Sequence, residues 1–268
     1  MNDIIHKLWL CKYSILFYVI YELLQKYIVR SNWYSSTMLF YFPNLQKIDI
    51  HIKDRIFKFC LVALLYIIYV VITKELSITP TKTSLIDFSN GTLIGLFVIS
   101  VHSIISILTG SIKIVGFNLN YKLVLYVIYI YLLGIILTSF TEELIMRGIL
   151  QYTFTTYFNK NIIIICLAIF FGIWHIKHGI LYAIGAVIYG LLSGMLYIRK
   201  GFYICFGLHF GQNFFESLFN SQTIIRYKNN RPFWNGSRDT PDETGCIDIL
   251  LYLILTIYVY FDYYKDHF

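Results

Sequence analysis

The chain has 268 residues, of which 57% are hydrophobic and 14% are charged, and its mean hydropathy is +0.64. A soluble domain of this length needs a far larger polar share to cover its surface. A soluble helical protein with a very apolar core is disfavoured as well, because the apolar blocks are long enough to cross a bilayer, which takes about 20 residues. The net charge of +7 therefore indicates basic loops facing anionic lipid head groups rather than a nucleic-acid partner.

The apolar blocks predict an all-α fold, a polytopic transmembrane bundle of about eight spanning helices. The first block continues past Tyr27 with no small-residue cleavage site behind it, which favours a membrane helix over a signal peptide. The predicted spans, in chain order, are 8–29, 56–73, 91–109, 122–140, 161–176, 179–198, 201–220 and 248–264.

Two stretches are polar enough to lie outside the membrane. Residues 30–54 suggest a loop with a short amphipathic piece, and residues 221–245 form the only long hydrophilic segment. No repeat or low-complexity tail interrupts the chain, so we expect a single integral membrane domain over residues 1–268. The five cysteines are scattered without a CxxC pair, which indicates neither a disulfide framework nor a thiolate zinc site.

The segment FTEELIMRG, residues 140–148, places two adjacent carboxylates just after a run of eighteen uncharged residues, 123–140. Glu143 and Arg147 are four residues apart, so on a helix they can pair. Ser139 and Glu142 have the spacing of a capping box, which would begin a new helix there. A capped helix start with one ion pair explains Glu143, but it leaves Glu142 roughly 100° away around the helix with no local partner.

Histidines in apolar surroundings are the other unusual residues. His175 closes the apolar stretch FFGIWH, and an interfacial histidine is the simpler explanation for it and for His178. His209 and Asn213 are four residues apart within another apolar run, where a helix–helix hydrogen bond would explain them. His102 lies among serines with no carboxylate motif near it, and we interpret it as a packing residue.

The glutamates, His175 and the pair His209 and Asn213 together provide the groups that amide hydrolysis requires. A glutamate held in a site of low dielectric constant can take a proton from water. A histidine can orient that water or donate a proton to a leaving group. An asparagine and a second histidine can donate hydrogen bonds to an oxyanion.

Three motifs in order, EExxxR, FxxxH and HxxxN, resemble the CPBP family of CAAX-protease and bacteriocin-processing membrane proteins. This family, also called Abi, is related to the Rce1-type CAAX prenyl endopeptidases. The resemblance covers residues 120–245, with TPDETG similar to a segment that many members carry before the last helix, here 248–264. Residues 1–110 carry no motif, as expected of the divergent N-terminal helices. The residues in the motifs are Glu142, Glu143, Arg147, Phe171, His175, His209 and Asn213.

The resemblance implies an intramembrane endopeptidase whose helices enclose a central polar cavity that water can enter. If the roles of the family's motif residues apply to the matching positions here, Glu142 would activate the water, and His175 would help to hold it. His209 and Asn213 would form the oxyanion site.

Glu143 and Arg147 would support this constellation, although spacing leaves open which glutamate is the base. Zinc is also left open, since Glu142, His175 and His209 could bind it. Members of the family have been described both as metalloproteases and as metal-independent glutamate proteases. Because no HExxH motif is present and the three ligands come from separate helices, we favour chemistry without a metal and assign no cofactor.

The substrate implied by the resemblance is a peptide or small membrane protein, in peptide pheromone or bacteriocin maturation or in self-immunity. Heavy use of Asn, Lys and Ile fits an AT-rich bacterial genome, so the expected location is a bacterial plasma membrane. A non-catalytic immunity or scaffold protein of the same fold is the main alternative, although a scaffold has no need of Glu142. A transporter is disfavoured because no internal repeat is present.

Overall fold

Helices dominate the computed structural model, which describes residues 2–26, 47–74, 77–117, 121–220, 225–235 and 245–265. Within these ranges, the strands form a single two-stranded sheet. The predicted all-α transmembrane fold is therefore confirmed. The helices are α1 (Asn2–Leu24), α2 (Lys47–Thr73), α3 (Ser84–Leu108), α4 (Tyr121–Glu143), α5 (Tyr152–Tyr157), α6 (Lys160–His175), α7 (Ile180–Lys200), α8 (Phe202–Asn220), α9 (Pro232–Asn235) and α10 (Cys246–Lys265).

Five stretches of the described chain are long and apolar enough to cross a membrane. They coincide with five of the predicted spans, although α3 begins at Ser84, seven residues before its predicted start at 91. The other three predicted spans, 8–29, 122–140 and 201–220, also fall on helices, while residues 27–29 lie outside the described residues. The five stretches are Arg55–Thr73, Ser84–Leu108, Lys160–His178, Ile180–Lys200 and Cys246–Tyr263.

The chain divides into two compact units, the first comprising Met1–Thr79 with Leu133–Phe158 and the second Pro80–Leu132 with Asn159–Phe268. In the first unit, the Ser14 hydroxyl donates to Thr153 Oγ1 at 2.8 Å, and Tyr69 Oη lies 2.6 Å from the same oxygen. These buried hydroxyls link α1, α2 and α5 where no water is available to satisfy them. The expectation of a single domain stays a prediction.

Glycines bring α3 and α8 into backbone contact in the second unit. A Cβ added at Gly91 would lie 2.1 Å from the Ile204 carbonyl oxygen, and one added at Gly95 would lie 2.4 Å from the Gln212 nitrogen. These contacts advance in the same direction along both helices, so α3 and α8 run parallel. Each helix carries a GxxxG pattern, the second formed by Gly207 and Gly211, and such small-residue pairs allow close helix packing in membranes.

A small antiparallel sheet joins β1 (Ile112–Phe117) to β2 (Ile225–Asn229). Its buried face includes Tyr227, whose pKa is raised by burial. Neither strand was predicted, and residues 225–235 of the expected hydrophilic loop form β2 and the short helix α9 instead. In the other stretch expected outside the membrane, 30–54, residues 47–54 are helical and precede the apolar span that starts at Arg55, while residues 30–46 lie outside the described residues.

Candidate active site

The two adjacent glutamates end α4, and a π-helical segment, Leu144–Gln151, follows directly. All eight residues of this segment are buried. A π-helical turn is rare and frequently marks a functional site. The helix continues through Ser139, which is itself buried, so the interpretation of Ser139 as the cap of a new helix is wrong.

Glu143 and Arg147 form an ion pair inside the first unit. Arg147 Nε lies 3.3 Å from Glu143 Oε2, and Nη1 donates to Oε1 at 3.4 Å. The exposed fraction is 0% for Glu143 and 2% for Arg147. The contact expected from the i, i+4 spacing is therefore present, and a buried carboxylate is neutralised by a buried guanidinium.

Glu142 has a different environment from its neighbour. It is half-buried, whereas Glu143 is inaccessible to solvent. The adjacent positions point in directions about 100° apart on a helix, which separates one carboxylate from the other. Of the two glutamates, only Glu142 keeps part of its side chain accessible.

His175 ends α6 in the second unit, and its motif partner Phe171 explains its orientation. His175 Nδ1 lies 2.8 Å from the Phe171 carbonyl oxygen. Since a carbonyl can only accept, Nδ1 carries the hydrogen, and in the neutral ring Nε2 is the unprotonated nitrogen. The rings of Phe171 and Tyr182 lie 4.4 and 5.4 Å from the imidazole, which fixes its plane.

His209 and Asn213 lie one turn apart on α8, also in the second unit. His209 is buried and Asn213 is half-buried. The His209 ring packs edge-on against Tyr189 of α7, with centroids 5.5 Å apart. Tyr189 in turn lies 6.0 Å from Phe171, so one buried tyrosine connects the surroundings of both motif histidines.

Sequence reasoning did not find Tyr189, nor the full polar stripe of α8. Gln212 and Glu216 are buried, and together with His209 and Asn213 they occupy positions i, i+3, i+4 and i+7. This helical spacing was the signal in the sequence that could have identified the stripe.

His102, interpreted as a packing residue, is fully buried and faces Asp248 of α10, a partner that the sequence pattern did not indicate.

The six polar motif side chains divide between the two units, with Glu142, Glu143 and Arg147 in the first and His175, His209 and Asn213 in the second. Their convergence on one cavity stays a prediction. Within the described part of either unit, no three His, Cys, Asp or Glu side chains form a group that could hold a metal ion. The alternative zinc ligands Glu142, His175 and His209 draw on both units.

Residues 124–215 match a protein family described as type II CAAX prenyl endopeptidase Rce1-like. This segment is therefore similar to the CAAX-type intramembrane proteases. The matched range covers about a third of the chain and contains all seven motif residues. No curated protein matches the sequence. The family is one of proteases, and its membrane character agrees with the five apolar spans.

Proposed function

We propose that this protein is a CPBP-type endopeptidase of a bacterial plasma membrane that cleaves a small peptide or a membrane protein. Maturation of a peptide pheromone or bacteriocin, or self-immunity, is the process we expect it to serve. The proposal rests on the Rce1-like segment and on the polar side chains that its three motifs supply.

The contrast between the adjacent glutamates is the observation that carries the proposal. Glu143 is fully buried and paired with Arg147, so its negative charge is already compensated. Glu142 is half-buried, so part of its side chain stays accessible, and in this proposal water approaches it there. A general base must reach the proton that it removes, which favours Glu142 as the base and Glu143 as its structural support.

In the proposed reaction, Glu142 removes a proton from water while the water oxygen attacks the substrate carbonyl carbon. The carbonyl π electrons move to oxygen and give a tetrahedral oxyanion. Collapse of this intermediate breaks the C–N bond, and Glu142 returns the proton to the leaving nitrogen. His175 holds the water through Nε2, because its Nδ1–H donates to the Phe171 carbonyl.

His209 and Asn213 donate hydrogen bonds to the oxyanion in this proposal. Both side chains lie on one face of α8, and an asparagine amide or imidazole N–H is a usual oxyanion donor. The unprotonated Nε2 of His175 also suits a metal. If zinc binds, Glu142, His175 and His209 would hold it, and the ion would acidify a bound water.

A defined mixture of synthetic peptides, with and without a farnesylated C-terminal cysteine, tests the proposal. The protein is reconstituted in lipid nanodiscs and incubated with the mixture, and new peptide termini are identified by mass spectrometry. We expect the wild type to create new termini and the double variant His175→Ala, His209→Ala to create none. No cleavage by a folded wild-type protein, or equal cleavage by the double variant, would overturn the proposal and favour the scaffold alternative.

A further inference from the structure

A second polar cluster is buried in the second unit, on α3, α8 and α10. Asp248 Oδ1 lies 3.5 Å from His102 Nδ1, and Gln212 Nε2 donates to Asp248 Oδ2 at 3.4 Å. The exposed fractions of His102, Asp248 and Gln212 are 0%, 3% and 4%. A carboxylate therefore accepts a hydrogen bond from an amide of α8 and lies beside an imidazole of α3, away from solvent.

Burying ionisable groups at this position costs free energy, which suggests that the cluster has a role. His102 and Asp248 both lie in candidate membrane spans, and ionisable side chains inside a membrane are rare and usually functional. Asp248 is in the first turn of α10, where the helix dipole stabilises a negative charge. Both residues are outside the Rce1-like segment 124–215, so the family match assigns no role to either of them.

Gln212 connects the cluster to the proposed oxyanion donors. It is the residue before Asn213 and the third after His209, on the same helix. Its amide is held by Asp248, while its backbone nitrogen lies where a Cβ on Gly95 of α3 would approach to 2.4 Å. Helix α8 is thus held by close backbone contact with α3 and by a side-chain hydrogen bond to α10.

We propose that Asp248, with His102 beside it, is a positioning residue that sets the direction of His209 and Asn213 by holding Gln212. This inference rests on the proposed function of α8. Oxyanion donors must be held to within a fraction of an ångström, and a displacement of about 1 Å can cost about 10²-fold in rate. Asp248 itself touches no substrate in this proposal.

The first test compares Asp248→Asn and Gln212→Met with Asp262→Asn. Asp262 lies on the same helix as Asp248, but it pairs with Arg199 of α7 and not with α8, so it controls for the general loss of a carboxylate. The reporter is the peptide from the mixture that the wild type cleaves fastest. We expect both test variants to lower kcat by about 10- to 10²-fold per folded molecule with KM nearly unchanged, and Asp262→Asn to leave kcat unchanged.

Labelling of His209 by diethyl pyrocarbonate provides a measurement that does not depend on activity. His209 is only 7% exposed, so its modification in the wild type should be slow. Rotation of α8 in Asp248→Asn or Gln212→Met should increase the modification rate severalfold, with His175 as the internal reference. Asp262→Asn should not change it. If Asp248→Asn does not fold, Gln212→Met still decides the question.

Failure of this inference can be told from failure of the proposed function. Wild-type kcat and wild-type His209 labelling in both folded test variants would overturn the positioning role, even if Glu142→Gln abolished cleavage. A fully active Glu142→Gln variant would instead overturn the assigned base. If no peptide is cleaved, unchanged His209 labelling alone overturns the positioning role, and increased labelling supports it.

Discussion

Arg147 Nε lies 3.3 Å from Glu143 Oε2, and both side chains are buried at the junction between α4 and the π-helical segment. Removing one partner of a buried ion pair takes away the charge that compensates the other, which lowers the free energy of unfolding by about 3–5 kcal/mol. We therefore expect Arg147→Met to lower thermal stability and membrane abundance strongly. Thermal unfolding in detergent and immunoblots of membrane fractions measure the two effects.

The control for this variant is Arg199→Met. Arg199 pairs with Asp262, but the side chains are 26% and 46% exposed, so the contact should contribute no more than about 1 kcal/mol. Equal stability of Arg147→Met and Arg199→Met would contradict a stabilising role for the buried pair.

Gly211→Ala tests the close packing of α3 and α8. The added Cβ would lie 2.4 Å from the Thr92 carbonyl oxygen, and backbone cannot move away cheaply. We expect a sharp fall in the yield of folded protein. Leu93→Ala, at an exposed position of α3, should leave the yield near that of the wild type. Size-exclusion profiles of the purified variants measure the yield, and a wild-type profile for Gly211→Ala would refute the packing argument.

Asn213→Ala tests the oxyanion assignment. Loss of one oxyanion donor lowers kcat by about 10²–10³ in other hydrolases, and we expect a similar loss here. His178→Ala is the matched comparison, since His178 is exposed and lies outside the motifs, with its ring tilted against Tyr182. The His178→Ala variant should have nearly the kcat of the wild type. Turnover of the reporter peptide per folded molecule separates the two, and a comparable kcat for both variants would remove Asn213 from the proposed chemistry.

Chelation tests the choice of metal-independent chemistry. We expect turnover to be unchanged after incubation with 1,10-phenanthroline, because Glu142 is proposed to activate water directly. A loss of turnover that added Zn²⁺ restores would point instead to zinc held by Glu142, His175 and His209.

Much of the helical framework could be predicted from the sequence. An apolar block in a bilayer must satisfy its backbone hydrogen bonds internally, so each long block becomes a helix. The spacing of Glu143 and Arg147 likewise predicted their contact, because residues four apart share a helix face. These are local relationships, and local spacing is sufficient to find them.

Relationships between distant residues could not be found in this way. The strands β1 and β2 pair although about a hundred residues separate them, and Gln212 meets Asp248 across 36 positions. The π-helical segment after Glu143 was missed for another reason, since a change of backbone hydrogen-bond register leaves no mark in the pattern of apolar residues.

The most direct test of the central claim is the kcat of Glu142→Gln on the reporter peptide, measured beside Glu143→Gln. Glutamine keeps the size of the side chain but cannot accept the proton from water, so Glu142→Gln should fold normally and show no measurable turnover. Glu143→Gln should lose stability because the buried ion pair with Arg147 is lost, while its folded fraction keeps some turnover. Wild-type turnover by folded Glu142→Gln would contradict the assignment of Glu142 as the catalytic base.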